Sequence, residues 1–333
     1  MARSGCIWSA GSMENFEPQL AVDRAPAIWI GRNDGTGEQH LRWHQHVNRQ
    51  PAGTPNGRRP AALLGFASDA GVLRNEGRVG AARGPQALRA ALGSLAIHEP
   101  RPLVDAGDIE VLGDELESGQ ERLAQSVSAL LAGEMLPVVL GGGHETAYGS
   151  FTGLFKHFRD EPETRLGILN LDAHFDLRSA PRRTSGTPFL DIARDLQAEG
   201  RDFNYAVVGI SKPSNTPVLF ERARSLGVRY LLDEQCTAGQ LPAVLGFVED
   251  FLAGIDKLYL TIDLDVLPAS VAPGVSAPAG FGVPLEVIHG LCAMLAGSGK
   301  LALIDVVELN PGLDIDGRTA RTAARLVNTL LGV

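Results

Sequence analysis

Cysteine is scarce in this chain. Its 333 residues hold three, Cys6, Cys236 and Cys292, isolated and without Cys-x-x-Cys spacing, which argues against a disulfide framework and for a reducing, cytoplasmic compartment. No apolar run approaches the roughly 20 residues that a membrane-spanning helix needs. Residues 1–12 lack the basic and then apolar design of a signal peptide, and Met13 reads as an alternative start that makes them an extension or a disordered tail. Positive charge is in deficit: 30 Lys and Arg against 39 Asp and Glu give a net charge of −9, with no footprint for nucleic acid. No Gly-x-Gly-x-x-Gly follows a strand-like run, which excludes a Rossmann cofactor site, and there is neither an internal repeat nor a low-complexity linker.

What is present is enough apolar sequence, 44%, to bury a substantial core. Residues 1–60 are rich in Pro, Gly, Asn, Arg and His and read as an irregular arm, with a short helix at 39–47. His40, His44 and His46 have no carboxylate partner in that stretch, so they are read as part of a surface helix and not as ligands. From 61 to 333 one catalytic domain is expected. Strands are read at 61–66, 103–105, 138–140, 167–171, 206–210, 228–232, 258–262 and 301–306. Helices are read at 85–92, 121–132, 188–199, 216–226, 240–253, 284–295 and 319–330. Strand alternating with helix over this length predicts an α/β fold, a parallel sheet covered on both faces.

Three of the strand ends carry unusual chemistry. Asp172, His174 and Asp176 follow the apolar run 168–171 with a spacing of two, so an extended backbone points all three to one side. His144 follows a strand and three glycines, and Asp263 and Asp265 end another strand with the same period. In an open α/β sheet the carboxyl ends of the strands are where ligands bind. Six converging ionisable groups repel one another and lose hydration unless a cation joins them. Six exceed what a zinc site uses. An oxygen-rich set with some imidazole suits manganese, and two ions bridged by carboxylates account for the number. Histidines disfavour calcium, and no EF-hand loop is present.

Gly-Gly-Gly-His-Glu (141–145), Asp-Ala-His-Phe-Asp (172–176), Ser-Gly-Thr-Pro-Phe (185–189), Asp-Leu-Asp-Val-Leu (263–267) and Val-Glu-Leu-Asn-Pro (307–311) resemble the ureohydrolases, the family of arginase, agmatinase and formimidoylglutamase. The similarity runs from about Ala62 to Leu331. It implies a three-layer α/β/α architecture around a mainly parallel, roughly eight-stranded sheet, with two Mn²⁺ ions per subunit hydrolysing a C–N bond of a guanidine or amidine. It also implies that Asp176 moves a proton to the departing nitrogen. Glu308 falls at the same sheet edge, where a carboxylate suits a protonated amidine.

Where arginases and agmatinases carry His-Gly-x-Pro, this chain has Ser185. That feature and the segments 29–34, 43–45, 74–81, 271–278 and 314–321 resemble the formimidoylglutamase branch. The resemblance implies conversion of N-formimidoyl-L-glutamate to L-glutamate and formamide in histidine degradation. A substrate with two carboxylates is expected to meet arginines, and Arg178, Arg183 and Arg74 are the candidates, with Ser185 beside them. The alternatives are an agmatine or guanidino-acid hydrolase and a non-catalytic metal-binding relative. A homo-oligomer with a small-molecule substrate and no nucleic-acid or membrane partner is expected.

Overall fold

The computed structural model describes residues 20–26, 28–49 and 58–333. The proposed alternative start and tail at 1–12 lie outside them. Among the described residues the strands are β1 (Ala61–Ala67), β2 (Leu103–Glu110), β3 (Leu136–Leu140), β4 (Leu166–Leu171), β5 (Asn204–Ile210), β6 (Arg229–Leu232), β7 (Lys257–Asp263) and β8 (Leu301–Val307). They form one eight-stranded sheet in the order β2-β1-β3-β8-β7-β4-β5-β6, with parallel pairing throughout.

Alternation along each strand sends neighbouring residues into different apolar layers. Leu63, Val138, Leu169, Leu260 and Ile304 face one layer, and Leu64, Val139, Ile168, Tyr259 and Leu303 face the other. Both layers are covered by helix, and for that reason these strands read as unbroken apolar runs.

The helices are α1 (Trp43–His46), α2 (Ala70–Arg74), α3 (Gly84–Gly93), α4 (Leu116–Ala132), α5 (Thr146–His157), α6 (Pro188–Ala198), α7 (Pro217–Ser225), α8 (Leu241–Ala253), α9 (Leu285–Ala296) and α10 (Arg318–Leu331). Pro188 opens α6 at a position where its missing N–H is not needed. Two helices depart from the sequence reading. Residues 68–84, where no helix was expected, contain α2. The stretch after His144, left unassigned, is α5.

The arm also differs from a surface helix. Trp43 is fully buried and His46 is 4% exposed, with Nε2 of His46 2.7 Å from the Arg101 carbonyl oxygen. Trp29 donates its indole N–H to Asp105 at 2.8 Å, and Asp105 is also gripped by Arg89 at 2.9 Å. His46 is a packing residue, because the apolar face of α1 turns inward against α3 and not outward to water.

Candidate metal centre

Four adjacent strands at the middle of the sheet, in the order β3-β8-β7-β4, deliver the site. His144 follows β3, Glu308 follows β8, Asp263 ends β7 with Asp265 two residues on, and Asp172, His174 and Asp176 follow β4. Every one of these side chains lies at the carboxyl edge. The loop after β3 can bend there because Gly142 has no side chain: a Cβ would lie 1.8 Å from the Ser68 carbonyl oxygen. Asp176 and Glu308 hold φ values of 49° and 68°, a conformation non-glycine residues rarely adopt, so the fold tolerates strain at both.

The six predicted ligands come together. Nδ1 of His144 lies 3.2 Å from Asp172, 2.9 Å from Asp176 and 3.1 Å from Asp263. It is buried, yet none of these oxygens is aligned to take an N–H from it. Nδ1 of His174 lies 3.1 Å from Asp265 and 3.5 Å from Asp172. Two sets therefore have ligand atoms within 4.8 Å of one another, His144–Asp172–Asp176 and Asp172–His174–Asp265, and Asp172 belongs to both. The side chain of His174 is 23% exposed against 1% for His144, so the second set faces the opening. A ring nitrogen ringed by carboxylate oxygens but bonded to none is what a cation-binding position requires, and the donor set fits manganese.

The protonation energetics point the same way. Burial pushes the carboxyls of Asp176, Asp263 and Asp265 up, and neighbouring aspartates add to this for each. Burial opposes charge on His144 and His174 too, but the surrounding aspartates outweigh it and hold both well above the ordinary imidazole range. The cluster carries more negative charge than it can keep without added positive charge.

Around the ligands lie groups that orient them. Asn170 donates to Asp172 at 2.8 Å, and the backbone N–H of His174 and of Asp265 donate to Asp172 and Asp263. Phe189, from the Ser-Gly-Thr-Pro-Phe segment, packs edge-on against His144 with ring centroids 5.3 Å apart. Glu308 accepts the His144 backbone N–H at 2.9 Å; burial and the nearby Glu145 carboxylate push it up to about 8. Glu145 is fully buried and accepts from Ser68 and the Gly71 backbone. Glu145, Asn170 and Phe189 were passed over in the sequence reading, although Glu145 and Phe189 lie inside its motifs.

The arginines divide. Arg74 donates to Asp114 and Glu117 at 2.7 Å each and to the Arg183 carbonyl at 3.0 Å. Arg183 lies over the Tyr148 ring at 3.6 Å, and Arg182 joins Asp114 and Glu117. Arg178 is exposed, its backbone N–H closing the 178–186 loop on the Gly186 carbonyl at 2.8 Å. Its side chain runs beside Gly186, as does that of Asn75. Ser185 is 8% exposed, at the turn before α6.

The chain belongs to the arginase family, whose model matches residues 59–332, and so is a hydrolase acting on C–N bonds. A Nocardia farcinica protein named formimidoylglutamase is 57% identical over 304 residues, covering 91% of this chain and 95% of the relative. The crystal structure of Trypanosoma cruzi formiminoglutamase with Mn²⁺ superposes with a TM-score of 0.72 at 25% identity, covering 82% of this chain and 92% of that one. Arginase from Bacillus subtilis gives a TM-score of 0.70 at 27% identity, covering 83% and 99%. The eight-stranded parallel sheet expected from the resemblance is the one found.

Proposed function

We propose that the protein is a dimanganese hydrolase that converts N-formimidoyl-L-glutamate to L-glutamate and formamide. One observation carries the metal reading: Asp172 offers oxygens to two His–Asp sets at once, so two cations would share one carboxylate. The substrate is taken from the relatives, which at 48–57% identity are named formimidoylglutamase. His144, Asp172, Asp176 and Asp263 would hold one ion, and Asp172, His174 and Asp265 the other. When bound, the pair supplies an activated water at neutral pH and the positive charge that the carboxylates need.

The remaining steps fall to side chains. Asp176 would carry the proton to the departing nitrogen, since an amine is a poor leaving group until protonated. Glu308 would accept the N–H groups of a cationic amidine, which replaces repulsion from Glu145 with attraction. Arg178 would meet a substrate carboxylate, with Ser185 behind it at the base of the loop. Arg74 and Arg183 would serve that recognition by fixing the 178–186 loop, because their guanidiniums are engaged with α4 and Tyr148. A small-molecule substrate with two carboxylates, no nucleic acid and no membrane partner, and a cytoplasmic homo-oligomer complete the proposal; no described helix is long and apolar enough to cross a membrane.

Manganese-loaded protein offered formimidoylglutamate, agmatine, arginine and guanidinobutyrate side by side tests it. Formimidoylglutamate is expected to be turned over fastest. Faster turnover of agmatine or guanidinobutyrate overturns the substrate assignment and leaves the family unaffected.

A further inference from the structure

On the side of His144 away from the aspartates, Nε2 lies 3.1 Å from the Thr261 hydroxyl oxygen. Thr261 is fully buried in β7 and stands in register with Asp305 of β8. Asp305 is equally buried. One of its oxygens takes the Tyr259 hydroxyl, and the other, Oδ1, is without a hydrogen bond of good geometry among the described residues. A carboxylate inside an apolar layer with an oxygen to spare is costly to keep, and Asp305 is too far down its strand to join the ligand cluster at the edge.

A threonine hydroxyl has one proton and two lone pairs. If it accepts from the imidazole, its own proton must go elsewhere, and the neighbouring carboxylate is Asp305. We propose that Asp305 is a positioning residue for His144, acting through Thr261. Nε2–H of His144 donates to Thr261, the Thr261 hydroxyl donates to Asp305, and Nδ1 is the nitrogen that a cation among Asp172, Asp176 and Asp263 would take. Without an acceptor behind it, the ring loses the hydrogen bond that holds it turned with Nδ1 toward the aspartates. The partner of the second ring nitrogen thus selects the tautomer that the first one needs. This inference rests on the metal-binding reading above and extends it to residues that touch neither metal nor substrate.

The test is a Mn²⁺ titration of the purified protein, with bound ions counted by elemental analysis and the metal environment followed by electron paramagnetic resonance. His144→Ala identifies the ion that depends on this imidazole. Thr261→Val, which keeps the shape and removes the hydroxyl, and Asp305→Asn are expected to weaken that ion about 10- to 100-fold while sparing the other. Thr261→Ser restores binding. Tyr259→Phe, which removes one of the other hydroxyls beside Asp305, leaves affinity within about threefold of the parent, because outer-shell effects follow the hydrogen bond to the ligand. Melting in chelator separates folding defects from metal defects; if Asp305→Asn does not fold, the Thr261→Val and Thr261→Ser pair decides. Parent-like binding of both ions by Thr261→Val overturns the positioning role and leaves the dimanganese reading standing. A parent protein with no ion sensitive to His144→Ala overturns both.

Discussion

The backbone N–H of His144 donates to Oε1 of Glu308 at 2.9 Å, tying the loop after β3 to the end of β8. The tie is reciprocal, since the Glu308 N–H donates to the Gly142 carbonyl at 2.8 Å. A carboxylate proposed to receive the substrate is thereby registered against the imidazole proposed to hold a metal.

Glu308→Gln should separate the two roles. The amide oxygen can still accept from His144, so manganese content should stay at the parent value. Assayed above pH 8, where Glu308 is ionised even before substrate binds, the variant lacks the charge that faces a cationic amidine, and kcat/KM should fall on the order of a hundredfold. Steady-state kinetics alongside metal analysis check this, and an unaltered kcat/KM removes Glu308 from the substrate site.

The shared position of Asp172 makes an asymmetric prediction. Asp172→Ala should release both ions, whereas Asp265→Ala should release mainly the one beside His174. Elemental analysis of the manganese-loaded parent should return two ions per chain; one or none sinks the binuclear reading.

Chelation should destabilise the fold, because it leaves buried aspartates facing one another. Each ion supplied at about 100 times its dissociation constant adds roughly 2.7 kcal/mol, which raises Tm by a few degrees in a chain of this size. Differential scanning fluorimetry with chelator and then with excess Mn²⁺ measures the shift. Equal melting temperatures would contradict a built-in cation site.

The arginines should behave differently from one another. Arg178→Ala should lower kcat/KM for formimidoylglutamate about a hundredfold with manganese content unchanged. Arg74→Ala leaves Asp114 and Glu117 paired with Arg182 but removes the donor to the Arg183 carbonyl, so it should lower stability by no more than about 1 kcal/mol and affect kinetics by loosening the 178–186 loop. Parent-like kcat/KM in both Arg178→Ala and Arg183→Ala would overturn carboxylate recognition by this loop.

Removal of Arg89 should be the harshest structural change. Its side chain is 5% exposed and paired with Asp105, which is wholly buried, so Arg89→Met leaves an uncompensated carboxylate and should cost about 3–5 kcal/mol. Urea denaturation checks it, and a loss below about 1 kcal/mol would mean that the N–H groups of Trp29 and Gly107 suffice for Asp105.

The strands were legible because burial on both faces leaves unbroken apolar runs, and the candidate ligands could be named because they begin where those runs stop. Helix α5 was not, since Thr146, Gly149, Thr152 and Gly153 are poor helix formers. Its glycines serve packing: a Cβ on Gly153 would lie 2.6 Å from the Ala124 carbonyl oxygen, so α4 and α5 approach closely only without one. The commitments of Arg74 and Arg183 were hidden for a different reason. Their partners, Asp114, Glu117 and Tyr148, lie 35 to 43 residues away in the chain or belong to the unassigned helix. Thr261 and Asp305 carried no local signal at all, because only strand pairing brings them together behind His144.

The strand order has a kinetic consequence. β8 sits between β3 and β7, so His144 cannot stand beside Asp263 until a strand some 160 residues further along than β3 has been inserted between them. Chain closure over that separation is slow, and a nascent chain emerging from the ribosome has made all six candidate ligands before it makes the strand that brings His144 to the others. Capture of an ion by the His144 set would therefore be a late event in the life of each molecule, whereas Asp172, His174 and Asp265 come from β4 and β7, which pair directly and can gather before β8 is made.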